Sequence, residues 1–281
     1  MRTPKPEQLA TLEGFEKTAF TIADTVNRSP RLKRAAQAFL STIGKTWVHQ
    51  CTKNLLHVRG LEHVRDLDPH RGVMIAANHR SFFDSYVISS VLLRNCAWIE
   101  RMYFPVRSNF FYESPVGVLV NGVMSAWAMY PPVMRRKEAR GFNDYVVELT
   151  ADLLARRGTL VGFHPEGTRN QTDDPYTLLP AQIGTGQIIH HGKPIVVPAF
   201  VLGLNNDLKR QVAGNFDGTG DPITLVFGEP LDLSPYYDAE GRLRTYKRLA
   251  DHLREVLTAL GEEERAWRRE KGWPDLGPKR G

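Results

Sequence analysis

The chain has 281 residues, 42% apolar and 24% charged, which is enough for one large α/β domain and far from the composition of a disordered polypeptide. Its 37 basic and 31 acidic residues leave a net charge of +6, a mild excess that suits a phosphate-bearing substrate or an anionic membrane surface. With no nucleic-acid-binding motif beside it, that excess excludes DNA or RNA as a partner, and two cysteines outside any CxxC pair, Cys51 and Cys96, exclude a disulfide framework and a structural zinc site.

The first seventeen residues hold no apolar run, so a secretory signal peptide is not expected. Residues 7–26 read as a helix, broken at Asn27-Arg28-Ser29-Pro30, where serine caps and proline suits the first turn of a second helix. That second helix carries Leu32, Ala35, Ala36, Phe39, Leu40, Ile43 and Trp47 as one apolar stripe, with Arg31, Lys33, Arg34 and Lys45 around it. It can pack on a core or lie on anionic lipid. Short strands are expected at Leu55–Val58 and Gly72–Ala77, the second apolar on both faces as in a covered sheet. A helix over Ser85–Leu93 follows. Ser114 to Met134 is uncharged and long enough to span a bilayer. Gly117, Asn121, Gly122, Pro131 and Pro132 interrupt it, so buried core or an interfacial dip is expected instead. Further along come a helix over Asn143–Arg156, a strand over Thr159–Phe163, a helix over Gly186–His190, strands over Pro194–Leu202 and Ile223–Phe227, and an amphipathic helix over Arg244–Leu260. This alternation predicts an α/β fold, a mostly parallel or mixed sheet flanked by helices with an N-terminal two-helix appendage. The organisation expected is a helical, membrane-associating segment over 1–55, an α/β domain over 56–261 and a charged, frayed tail over 262–281.

Two constellations carry chemistry. The first, Asn78-His79-Arg80-Ser81-Phe82-Phe83-Asp84, follows a buried strand and precedes a helix, the end of an α/β sheet where ligands gather. Histidine can take a proton from a hydroxyl near neutral pH, and a carboxylate on its other ring nitrogen would fix the tautomer. The offset from His79 to Asp84 works if the chain turns after His79 and Asp84 opens the helix. The second constellation is His164-Pro165-Glu166-Gly167-Thr168-Arg169, again just past a strand. Arg169 can read a phosphate bidentately, Gly167 lets a backbone N–H approach an anion, and Glu166 can order the arginine or bond an acceptor hydroxyl.

Together these segments resemble the glycerolipid acyltransferase family, which acylates glycerol phosphate and lysophosphatidic acid and carries NHxxxxD, then FPEGTR about eighty residues on, then an apolar strand with a proline. Here that strand is Ile195-Val196-Val197-Pro198-Ala199, and Gly228-Glu229-Pro230-Leu231 resembles the family's closing turn. The resemblance covers roughly residues 60–234. Three positions depart from it: His164 replaces the phenylalanine, Gln182 replaces a lysine, and the family's phosphate arginine is either Arg135 or Arg136.

The resemblance implies that His79, held by Asp84, deprotonates an acceptor hydroxyl, which attacks acyl-CoA or an acylated acyl carrier protein directly. Arg169, with Arg135 or Arg136, would hold the phosphate of a lysophospholipid-like acceptor such as 1-acylglycerol 3-phosphate. No cofactor and no metal are implied. The expected location is the cytoplasmic face of the membrane, peripheral or monotopic, in phospholipid biosynthesis. The alternatives are an esterase or thioesterase using the same pair on water, and a non-catalytic lipid-binding protein. His164 is a candidate second acid or base or a packing residue. Ser81 is a candidate nucleophile but lacks a G-x-S-x-G elbow, and the adjacent His190-His191 diverge too much for a metal pair.

Overall fold

A computed structural model, which describes residues 1–277, arranges the chain around a central sheet. Its strands are β1 (Leu56–Arg59), β2 (Val73–Ala77), β3 (Arg101–Tyr103), β4 (Val106–Arg107), β5 (Pro132–Val133), β6 (Thr159–Phe163), β7 (Ile195–Leu202) and β8 (Ile223–Phe227). Six of them form one sheet in the order β1-β8-β7-β2-β6-β3, and β4 pairs with β5 as a separate short ladder. All neighbours in the large sheet run parallel except β7 and β8. This is the α/β fold with a mostly parallel sheet that the alternation of elements predicts.

The apolar runs fall where a covered parallel sheet needs them. Every residue of β2 and β8 is buried, as is nearly all of β6 and β7. Helix Ile183–Gly192 packs against both Arg140–Leu154 and Leu243–Glu270, the last also against β7 and β8. Helices Lys45–Gln50 and Asp84–Asn95 form a second packed group. The central strands set up the site. Register pairs Ala76 of β2 with Phe163 of β6, so the residues that follow, Asn78-His79 and His164 to Glu166, leave the sheet side by side.

Four segments differ from the sequence reading. Residues 7–26 do not form one helix: a short turn, Pro6–Leu9, precedes Gly14–Arg28, because Glu13 and Glu16 close a capping box that restarts it. The stripe on the second helix is turned partly outward. Lys33 and Gln37 are buried, whereas Leu32 is 46% and Ile43 58% exposed. Lys33 tolerates this because its ammonium donates to Asn27 Oδ1 and the Met102 carbonyl, both at 2.8 Å, and lies 3.8 Å from the Tyr103 ring centre. Burial pushes its pKa down to about 7.

The uncharged segment from Ser114 splits into three parts: a helix over Pro115–Ser125 capped by Ser114, a left-handed turn at Ala126-Trp127, and strand β5. No helix among the described residues is long and apolar enough to cross a membrane. A Cβ on Gly117 would lie 1.6 Å from the Phe110 carbonyl, so only glycine lets this helix approach so closely.

The charged tail is not frayed through residue 270. The last helix continues to Glu270, with Glu264, Trp267 and Arg268 buried. Its charges stay inside because they are paired. Glu264 accepts from Arg268 Nε (2.8 Å), Thr224 Oγ1 (2.6 Å) and Tyr176 OH (2.7 Å). The end of the expected tail, residues 278–281, lies outside the described residues. The helix over Leu208–Asp217 and the short strands β3, β4 and β5 were not foreseen; each is too short or too polar to show a period of its own.

Candidate active site

Asn78, fully buried at the end of β2, fixes where the first motif leaves the sheet. Its side chain accepts from Val201 N (2.7 Å) and donates to the Val201 carbonyl (2.9 Å), replacing one rung of the β2–β7 ladder. Pro198, opposite Ala76 on β7, is buried there and serves packing. The chain then turns sharply. Asp84, 1% exposed at the start of its helix, accepts three hydrogen bonds on one oxygen: Arg80 N (2.7 Å), Ser81 N (2.8 Å) and His79 Nδ1 (3.0 Å). Two backbone N–H groups therefore aim the carboxylate, and the carboxylate fixes the imidazole tautomer. With its proton on Nδ1, His79 keeps the Nε2 lone pair free.

Charge reinforces that state. Burial first, then Arg169 and Arg107, push the His79 pKa down to about 3, so the ring is neutral at working pH. Burial raises Asp84 to about 6, opposed by His164 and by the two backbone N–H groups.

His164 stacks on His79, with ring centres 4.0 Å apart and planes 7° from parallel. Its Nδ1–H is shared between the carbonyls of Ala77 (3.1 Å) and Asn78 (3.0 Å), and its Nε2 lies 2.9 Å from Ser85 Oγ. Carbonyls only accept, so Nδ1 holds the proton and Nε2 accepts from the serine. Both nitrogens are occupied, and burial pushes the pKa down to about 3. His164 thus packs as an aromatic would and also holds the strand end.

Glu166 is turned inward, 2% exposed, and does not reach Arg169 or open space. Its Oε1 accepts from His79 N (3.0 Å) and its Oε2 from Leu179 N (2.8 Å). It therefore clamps the two motifs together through both carboxylate oxygens. Pro165, also buried, and half-buried Gly167 and Thr168 shape the same turn. Gly167 has φ +63°, and a Cβ there would meet Gln182 Cγ at 2.9 Å. Gln182 N donates to the Pro165 carbonyl at 2.8 Å, so the residue that departs from the resembled lysine stitches this turn. Ser81 is fully buried, and its Oγ accepts from Phe83 N at 3.1 Å, a turn contact that faces away from solvent.

The family model for acyltransferases matches residues 55–202, which spans both motifs and the strands that carry them. The chain belongs to the acyltransferase family. No curated protein matches it significantly. The crystal structure of the 1-acyl-sn-glycerophosphate acyltransferase PlsC from Thermotoga maritima is similar in fold, with a TM-score of 0.51 and 18% identity. That match covers 92% of this chain and 86% of that one.

The arginines of this acyltransferase divide unequally. Arg136 is held by the N-terminal helix, with Nη1 2.9 Å from Glu13 and Nη2 on Glu16, so it is not free to take a phosphate. Arg135 is exposed and has no ion-pair partner among the described residues. Arg169 is exposed, and among the described residues its side chain donates only to Asn206 Oδ1, at 3.4 Å. A third cation was missed in the sequence. Arg107, at the end of β4, is near enough to His79 to depress its pKa and has Arg135 as its own electrostatic neighbour. It sits in Pro105-Val106-Arg107-Ser108, at no fixed spacing from either motif, and only the fold brings it in. His190 and His191 lie away from this group, against Ala239 and Tyr246. Among the described residues no cluster of side chains suits a metal ion.

Proposed function

We propose that this acyltransferase moves a fatty acyl group from a thioester, acyl-CoA or acylated acyl carrier protein, to a hydroxyl of a lysophospholipid-like acceptor. The observation that carries the proposal is the His79–Asp84 contact, which leaves Nε2 free in the field of Arg169 and Arg107. His79 Nε2 takes the acceptor's hydroxyl proton as its oxygen attacks the thioester carbonyl. The tetrahedral intermediate then collapses, the C–S bond breaks, and the thiolate recovers the proton from the imidazolium. Asp84 stabilises the imidazolium formed between these steps. No acyl-enzyme is required. The acceptor phosphate, as in 1-acylglycerol 3-phosphate, is held by the arginines. The deciding experiment incubates the pure protein with radiolabelled acyl-CoA and a panel of lysolipids. Labelled diacyl product supports the reading, and free fatty acid with every acceptor overturns it in favour of a thioesterase.

Arg169→Ala should raise the acceptor KM about thirty- to a hundred-and-fiftyfold, since a charge-assisted pair contributes about 2–3 kcal/mol. The donor KM should change far less. A rise in the donor KM alone, read from initial rates with each substrate varied, would misplace the phosphate.

We further propose that the protein works on the cytoplasmic face of the membrane without spanning it. Support comes from Val116, Leu119 and Val123, which are 67%, 65% and 61% exposed along one face of the Pro115–Ser125 helix. That helix packs near the Leu40–Gly44 turn, where Ile43 is also exposed. Arg31 and Arg34 lie exposed on the adjoining helix, so apolar insertion and attraction to anionic lipid would add. Flotation with anionic vesicles should show binding that weakens in high salt. Leu119→Asp should reduce it at least about tenfold, because burying one such side chain is worth about 1.5–3 kcal/mol. Binding unchanged by this substitution would move the contact elsewhere.

A further inference from the structure

The His79 ring is restrained from two directions, and only one of them is the carboxylate. Asp84 Oδ2 holds Nδ1 at 3.0 Å, which limits rotation within the ring plane. The face of the ring is held by His164, with centres 4.0 Å apart and planes 7° from parallel. A stacked ring fixes its neighbour's plane only as well as its own plane is fixed. His164 is pinned at both edges: Nδ1–H donates to the carbonyls of Ala77 (3.1 Å) and Asn78 (3.0 Å), and Nε2 accepts from Ser85 Oγ at 2.9 Å. Ser85 is buried and directly follows Asp84 at the start of the Asp84–Asn95 helix.

These contacts span the whole turn that carries the base. Asn78 precedes His79, and Ser85 follows the residue that orients it, so one side chain arriving just after β6 ties both ends of the turn together. The other clamps act on main-chain groups inside the turn. Glu166 holds the His79 N–H, Asn170 N holds the His79 carbonyl, and Asp84 holds Arg80 N and Ser81 N. The ring plane and the spacing to the helix are left to His164. A phenylalanine, which the resembled motif carries here, would offer the stacking face and neither edge. The histidine also stays neutral, because burial disfavours its charged form and Nε2 already accepts from Ser85. A neutral ring at 4.0 Å leaves the imidazolium formed on His79 without a like charge against it.

We infer that His164 and Ser85 are positioning residues for the transfer step: they brace the turn from Asn78 to Ser85 and hold the plane of the His79 ring, so that Nε2 stays aimed as it takes up and returns the proton. The inference rests on the acyl-transfer reading above and adds to it two residues that act through the base. The test measures initial rates and pH profiles of the full chain with acyl-CoA and lysophosphatidate, beside the melting temperature of each variant. His164→Phe keeps the stack and removes both edges. It should lower kcat about tenfold, as misplacement of a reacting group does, with both KM values unchanged. Ser85→Ala should lower kcat about threefold, the scale of one neutral hydrogen bond, and should cost nothing further in the His164→Phe background. The pH profile separates positioning from stability, because an unfolded fraction scales a profile without moving it. The charged and titratable groups facing the His79–Asp84 pair are Arg80, Arg107, Glu166, Arg169 and His164. A weaker bond from Nδ1 leaves Asp84 readier to take a proton, so the acid limb should move to higher pH in both single variants. Ser85→Ala keeps every one of these groups, and it carries the same test alone if His164→Phe does not fold. An acid limb that stays in place, or a Ser85→Ala cost that is equal in both backgrounds, overturns the brace while the acyl-transfer reading stands. A lower melting temperature with a profile merely scaled assigns His164 to stability and also overturns it. If the unmodified protein acylates no lysolipid, the acyl-transfer reading fails and this inference with it.

Discussion

His79→Ala should lower kcat at least about a hundredfold, the low end of what a positioned general base supplies. The fold should survive, because the contacts that shape this turn do not use the imidazole. Glu166 holds the His79 backbone N–H, Asn170 N donates to the His79 carbonyl at 2.7 Å, and Asp84 holds Arg80 N and Ser81 N. A circular dichroism spectrum and melting temperature close to those of the unmodified protein should therefore accompany the loss. Removal of the ring also leaves His164 without its stacking partner, but the two carbonyls and Ser85 keep it in place. His164 cannot substitute as base, since both of its nitrogens are engaged. Transfer that persists at more than a tenth of the original rate in a well-folded variant would remove His79 from the mechanism.

Asp84→Asn should cost about as much, at least about a hundredfold in kcat, with a different signature. The amide oxygen can still accept from Arg80 N and Ser81 N, so the turn holds. Asp84→Ala would instead leave two N–H donors unpaired in the interior, at about 1–3 kcal/mol each, which makes it the poorer test. What asparagine removes is the charge that opposes the imidazolium. The pH profile separates this role from a structural one. Asp84 is raised to about 6 by burial, whereas His79 is depressed to about 3 and rests neutral. As pH falls through about 6 the pair takes up a proton, and neither the tautomer nor the imidazolium is then supported. Activity should therefore decline on the acid side with a midpoint near 6. In Asp84→Asn this limb should move to lower pH, because the remaining histidine is buried beside Arg169 and Arg107. An acid limb unchanged in the variant would assign that titration to another group.

Those expectations show which parts of the site were readable in advance. The pairing of His79 with Asp84 follows from a local turn of a few residues, and a local turn is written in consecutive sequence. The juxtaposition of the two motifs was suggested by their positions after apolar strands, and the parallel register of β2 and β6 realises it. The role of Glu166 was not readable. In sequence it stands beside Arg169 and looks like a substrate contact, but its two oxygens face backbone N–H groups of His79 and Leu179, distant in sequence. Arg135 and Arg136 are equivalent as neighbours in a chain. Only the arrival of Glu13 and Glu16 from the N-terminal helix makes one a structural ion pair and leaves the other free.

The sequence by itself determined the five longer strands, the main helices, the mostly parallel α/β class and the histidine–aspartate pair. Each rests on apolar periodicity or on residues within a few positions of one another, where short-range sterics and hydrogen bonding dominate. The tertiary structure decided the rest. It placed Arg107 beside His79, buried Lys33 and Gln37 on the face that hydropathy assigns to solvent, and drew Glu264 and Arg268 of a charged tail into the interior. The burial of Lys33 and of Glu264 depends on partners contributed from far along the chain: the Met102 carbonyl for Lys33, and Thr224 with Tyr176 for Glu264. A polar group can be buried when such a partner meets it, and hydropathy records the cost of burial without recording the partner.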